Sequence, residues 1–156
     1  KNNVIQKFGD KPIALCSDHS GFEAKEIFKS VLKERGIDFI DYGTPLKTNC
    51  DYKYYIEQAV SGKRDGVCDF IFGFCRTGQG VNMCANKFSS IRSALVYDSF
   101  SAEMSIRHNC ANFFSFPERL YTDKAKAQEI VEIMLNNSFD GGRHQVRIQE
   151  LKNENL

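Results

Sequence analysis

An α/β domain built on a parallel sheet is what this sequence predicts, and three observations predict it. Short apolar runs of strand length alternate along the chain with amphipathic stretches at helical spacing. Those stretches are long enough to serve as crossover connections, which join parallel strands. At 156 residues the chain also suffices for one domain with a hydrophobic core of its own. The expectation is a single-domain three-layer sandwich, a five-stranded parallel sheet with helices on both faces, Rossmann-like in outline.

Taken in order, Ile13 to Cys16 reads as a buried strand, and Ser20-Gly-Phe-Glu23 has the spacing of a capping box at a helix start. Ala24, Ile27, Phe28, Val31 and Leu32 then fall on one face of a helix that Gly36 closes. A strand at Ile37 to Tyr42 follows, with a helix around Tyr55 to Val60 and a strand at Phe70 to Phe74. After Gly78 and Gly80 a helix is expected to Asn86, then a strand at Ser93 to Val96, a helix from Ser99 to Arg107 and a strand at Asn112 to Phe116. Thr122 to Asn136 reads as a helix with Ile130, Val131, Met134 and Leu135 as its buried stripe, and Arg143 to Leu151 as a helical tail. The polar residues 1–10 are set aside as an N-terminal extension, leaving 11–156 as the domain.

Composition narrows the function classes. A balance of 21 basic and 20 acidic residues argues against bulk nucleic acid or an anionic membrane as partner, and points to a small ligand. Six cysteines without a CxxC pair suit free thiols in a reducing compartment, so a cytoplasmic location is expected. The apolar runs fall short of the roughly 20 residues a membrane helix requires.

Three polar clusters lie next to predicted strand ends, where such sheets place ligands when the end is the carboxyl one. In Ser17-Asp18-His19-Ser20-Gly21, Asp18 is suited to exchange a proton with a substrate hydroxyl and His19 to meet an anion at a helix start. The plainer reading, that Asp18 and Ser20 merely cap the helix, carries equal weight. In Cys75-Arg76-Thr77-Gly78-Gln79-Gly80, the glycines let backbone approach a ligand and the helix start offers free N–H groups. That field and the Arg76 cation single out Cys75 as the cysteine expected to have a lowered pKa. The competing reading is a small buried residue at a strand end. The spacing matches neither a dinucleotide fingerprint nor a GK[ST] loop, and Val81 stands where a cysteine-based phosphatase loop would need Arg. The third cluster joins Arg107-His108-Asn109 to Arg119, Gly141-Gly142-Arg143-His144 and Arg147; Arg143 and Arg147 share a helical face fit to clamp a phosphate, or form a solvated basic face. His108 and Cys110 lack further ligands at metal-site spacing, so no metal is expected.

Together these motifs, with Tyr42-Gly43-Thr44, Asp51-Tyr52, Ala85-Asn86-Lys87 and Asn112, resemble the type B ribose-5-phosphate isomerase family, which includes allose- and galactose-6-phosphate isomerases. The resemblance spans about Pro12 to Leu151. It implies a homodimer or dimer of dimers with sites shared between subunits, a phosphorylated sugar as substrate, and no metal or organic cofactor. It implies that Cys75 moves the proton between C1 and C2 in aldose-ketose isomerisation of ribose 5-phosphate, a pentose phosphate pathway reaction. Thr77, Gly78, Gln79 and Gly80 would hold the enediolate. His108, from the neighbouring chain, would donate the proton that opens the furanose. Asp18, His19 and Asn109 would contact substrate, and Arg119, Arg143 and Arg147 would gather round the phosphate; the Arg76 guanidinium, a departure from the family, either contacts substrate or folds outward. Arg76 replaces the usual Gly, Gln79 a small aliphatic residue and Lys53-Tyr54 the usual Pro-Asp; Cys110 and Pro117 also depart from the common residues. Retention of Cys75 favours a pentose over a hexose phosphate. A non-catalytic sugar-phosphate binding module and a thiol redox sensor are the readings from other classes, the second unsupported by any resolving thiol at close spacing.

Overall fold

A computed structural model describes residues 6–151. Residues 1–5 and 152–156, which fall in the expected extension and tail, lie outside the described residues. Five strands, β1 (Ile13–Ser17), β2 (Phe39–Asp41), β3 (Ile71–Cys75), β4 (Ser93–Leu95) and β5 (Phe113–Pro117), form one sheet in the order β2-β1-β3-β5-β4, every neighbouring pair parallel. The helices between and after them are α1 (Phe22–Glu34), α2 (Tyr52–Arg64), α3 (Gln79–Ala85), α4 (Ser99–Arg107), α5 (Lys124–Asn136) and α6 (Arg143–Glu150). Each expected strand and helix is present, with ends displaced by a few residues at most sites.

Strands β1, β3 and β5 are buried along their whole length, as continuous apolar runs in a parallel sheet should be. One face carries α1, α4 and α5. There the phenylalanines of β3 and β5 stand in register, Phe72 beside Phe114 and Phe74 beside Phe116, and Phe28 of α1 packs 4.6 Å from Phe116, ring centre to ring centre. Phe8 is buried on this side against Phe70 and Phe72, so the described end of the N-terminal extension joins the core. The other face carries α2 and α3 over Ala14, Cys16, Ile71 and Cys75.

The start of α1 corrects one expectation. Its N-cap is Gly21, with no side-chain cap bond, so Ser20 and Glu23 do not form a capping box. Asp18 Oδ1 accepts from the Gly21 N–H at 2.9 Å instead, while Glu23 pairs with Lys47. The helix thus starts one residue later than the pattern implied, after a turn closed by the carboxylate three residues upstream. A capping box does form at α4, from Asp98 and Ser101. Gly36 ends α1 with φ +68°, the left-handed conformation expected of it.

Lys25 of α1 is fully buried, and its Nζ donates to both oxygens of Asp41 at 2.7 Å and to the Thr44 carbonyl at 2.8 Å. Lys29 reaches the same carboxylate at 2.9 Å. Burial pushes the Asp41 carboxyl up, but hydrogen bonds from Lys25 and Lys29 outweigh it and hold it below the usual range. The network bolts α1 to the end of β2, beside the loops that carry the site. Replacing Lys25 by Met leaves Asp41 one partner short; the loss is expected to be about 3 kcal/mol, the low end for a broken buried pair because Lys29 remains. Chemical denaturation measures it. The stability Asp41 contributes is present above the carboxylate pKa of the unfolded chain and is lost as pH falls through the depressed folded value.

Candidate active site

Because β1 and β3 are neighbours, with Ser17 in register with Phe74, their carboxyl ends deliver Asp18 and Cys75 side by side. Gly73 and Cys75 turn toward α2 and α3, so the thiol lies at the buried edge of that layer, 5 % exposed. The chain then leaves the sheet through Arg76 and Thr77, turns at Gly78 with φ +73°, and enters α3. Only at Gly78 does this segment need the left-handed conformation that glycine supplies freely. The Ser115 hydroxyl of β5 donates to the Gly78 carbonyl and anchors the turn to the sheet.

This geometry acts on Cys75 in two directions. Burial pushes the thiol up and the Asp18 carboxylate adds to the rise, while backbone N–H groups of Val81, Gly78 and Thr77 favour the thiolate. The balance lies above the ordinary thiol value, which corrects the expectation of a lowered pKa. Arg76 points into solvent and is not among the groups that act on the thiol. Desolvation therefore prevails over the helix-start field. Asp18 is itself pushed up by burial, against the opposing bond from Gly21 and the charge of His19.

His19 is half-buried next to Asp18, with Nδ1 3.2 Å from the Cys50 N and 3.1 Å from its carbonyl oxygen. Tyr52, which sequence reasoning quoted as motif but not as a site residue, belongs here too. A β-carbon on Gly80 would fall 2.5 Å from its hydroxyl, and burial, with the nearby Cys75, keeps its phenol protonated to higher pH. Thr77 Oγ1 accepts from the Gln79 N–H at 3.3 Å, and the side chains of Thr77 and Gln79 are exposed at the mouth of the turn. Arg119 lies exposed just past β5, whose Pro117 is in register with Cys75, and so belongs to the same edge.

The remaining candidates gather elsewhere. His108 is the C-cap of α4, which runs back from the end of β4 to the start of β5 and so ends at the amino edge of the sheet. There His108, Asn109, Arg143, His144 and Arg147 line a cavity of about 470 Å³. The expectation that Arg143 and Arg147 share a helical face holds, since both belong to α6 and line this cavity. From Pro117 back to Phe113 the strand alone spans about 13 Å, at ~3.3 Å per residue. Within one chain, then, His108 does not meet Cys75, and Arg119 does not join Arg143 and Arg147 around one phosphate.

Within the third cluster the structure adds Asp140, which sequence reasoning did not single out. Ligating atoms of His108, Asp140 and His144 lie within 4.8 Å of one another. The two imidazoles are stacked at 4.1 Å with planes 14° apart, so their in-plane lone pairs do not converge on one point, and Asp140 is engaged by Arg107 at 3.2 Å. The donor set suits a divalent metal, but this arrangement does not.

Among the described residues no helix is long and apolar enough to cross a membrane, and all six cysteines are free thiols. Residues 13–151 match the family model described as Ribose/Galactose Isomerase. The chain is 36 % identical over 141 residues to ribose-5-phosphate isomerase B of Escherichia coli K12, covering 90 % of this chain and 94 % of that one. A ribose 5-phosphate isomerase structure from Thermotoga maritima superposes with a TM-score of 0.85 at 37 % identity, covering 90 % of this chain and 97 % of that one. The Mycoplasma genitalium ribose-5-phosphate isomerase B with bound ribulose-5-phosphate superposes with a TM-score of 0.81 at 31 % identity, covering 90 % and 93 %. A match across nearly the whole sheet, with Cys75 and Asp18 side by side at its carboxyl edge, means that the chain belongs to the ribose/galactose isomerase family and is a sugar-phosphate isomerase.

Proposed function

We propose that the chain interconverts D-ribose 5-phosphate and D-ribulose 5-phosphate, in a site that two copies complete together. The observation that carries this reading is Cys75 buried at the end of β3 beneath the N–H groups of its own turn. Aldose and ketose interconvert through an enediolate, which requires a base that returns its proton and fixed donors where oxygen charge develops. Cys75 takes the proton from C2 and returns it to C1, while the backbone from Thr77 to Gly80 faces the enediolate oxygens. Asp18 passes the hydroxyl proton between O2 and O1. The retained cysteine and the ribose-specific names of the relatives support a pentose over a hexose phosphate.

The furanose must open before C2 can be deprotonated. His108 is suited to protonate the ring oxygen while the Asp18 carboxylate takes the C1 hydroxyl proton, and His108 stands at the opposite edge of the sheet from Cys75 of its own chain. A second copy with its amino edge against this carboxyl edge would bring His108, Asn109, Arg143 and Arg147 to Cys75, Asp18, His19 and Arg119. The three arginines then surround one phosphate.

Three measurements test this. Cys75→Ala is expected to lose about 10²–10⁴-fold in kcat on ribose 5-phosphate with little change in KM; turnover equal to wild type would rule out its role as base, and allose 6-phosphate as the best substrate would rule out the pentose. Since the thiolate is the active form and the pKa of Cys75 is raised, kcat should climb with pH through the neutral and alkaline range. Co-refolding Cys75→Ala with His108→Asn should restore about one quarter of wild-type activity, because half the dimers are mixed and each mixed dimer has one intact site. Mixed dimers that stay inactive would overturn the shared site.

A further inference from the structure

We propose that His144 is a positioning residue for this reaction, the flat wall that fixes the imidazole plane of His108. The inference rests on the assignment of His108 as ring-opening acid. His108 ends α4, where its backbone N–H still bonds the Met104 carbonyl at 2.9 Å, so its main chain is held. The direction of its ring is left to packing. The surface it packs on is His144, 4.1 Å away and nearly parallel.

His144 is the buried side chain of α6, 8 % exposed, whereas Arg143, Val146 and Arg147 around it face outward. Gln145 and Ile148 are partly buried beside it and help to seat the helix, so Arg143 and Arg147, which line the cavity with His108, do not depend on this ring alone. Burial, with the positive charges of His108, Arg143 and Arg147, lowers the pKa of His144 and favours its neutral form. A neutral ring beneath His108 leaves the proton to the residue that must donate it. Asp140, whose carboxyl the Arg107 guanidinium holds below the usual range, stands within 4.8 Å of both imidazoles and offsets the added charge.

The test compares His144→Phe, which keeps a flat face, with His144→Ala and with His144→Leu, which fills the space without one. Ribose 5-phosphate turnover, competitive inhibition by inorganic phosphate and thermal melting are measured for each, with His108→Asn and Cys75→Ala alongside. Misdirection of a reacting group by about an ångström costs roughly 100-fold. His144→Leu and His144→Ala should therefore lose about 10- to 100-fold in kcat, with phosphate inhibition within twofold of wild type, while His144→Phe stays within about threefold. Full activity in His144→Leu would overturn the proposal. An equal loss in His144→Phe and His144→Leu would also overturn it, by assigning the imidazole itself a chemical role, and so would phosphate inhibition weakened tenfold in His144→Phe, by making His144 a phosphate ligand. Wild-type turnover in both His108→Asn and Cys75→Ala would instead refute the underlying catalytic assignment. Should His144→Ala melt below the assay temperature, the Phe and Leu variants decide the matter.

Discussion

A parallel sheet has two unlike edges, and the rest of this molecule's chemistry depends on that polarity. Every strand ends at the same edge, so residues that follow β1, β3 and β5 collect there whatever their distance in sequence. Asp18, Cys75 and Arg119 are such residues. Helices must carry the chain back, so a residue that closes a helix before a strand is committed to the opposite edge. His108 is in that position. The connectivity that brings Asp18 and Cys75 together thus keeps His108 of the same chain at the opposite edge, which is why the proposed reaction calls for a second copy.

Electrostatics sharpen the division of labour. Cys75 is buried in the layer between the sheet and α2 and α3, and burial disfavours its thiolate more than the surrounding N–H groups favour it. A thiol of this kind is harder to ionise but more basic once ionised, which is what the proposed abstraction of a proton from carbon requires. At the other edge Arg143 and Arg147 place positive charge beside His108 and His144 around one cavity. The Asp140 carboxylate offsets part of that charge. The two edges therefore differ in character, a buried thiol beside a carboxylate at one and a basic cavity at the other, and the proposed reaction assigns proton transfer to the first and phosphate binding to the second.

The sheet was legible because strands buried on both faces appear as unbroken apolar runs such as Ile13 to Cys16 and Phe70 to Phe74. Helix starts were less so. Ser20 and Glu23 match a capping pattern, yet Asp18 satisfies the turn, while the box at α4 uses Ser101 where the pattern looks for Glu or Gln. The Cys75 neighbourhood could be named from its glycines, but its charge balance depends on how deeply the thiol sits, and depth is a property of the packed layers. The His108 and His144 stack joins α4 to α6 across intervening β5 and α5, and neither residue's local sequence foretells the contact. Tyr52 was visible as a motif, but its approach to Gly80 depends on how α2 lies against α3.

The departures around Cys75 follow from the same geometry. A side chain in place of glycine is costly where φ is positive, and in this turn the positive value falls at Gly78, two residues beyond Arg76. Cys110 is the described non-glycine residue with positive φ, at +49°, and there the Arg92 side chain grips its carbonyl at 2.8 Å. Arg76 requires no such support, because it leaves the strand in an ordinary conformation and extends into solvent. A side chain at position 76 is therefore compatible with the turn at Gly78 and with the N–H groups that the turn presents to Cys75. Arg76 adds a cation to the edge that also carries Arg119, and under the proposed function that cation would face an anionic substrate as it enters.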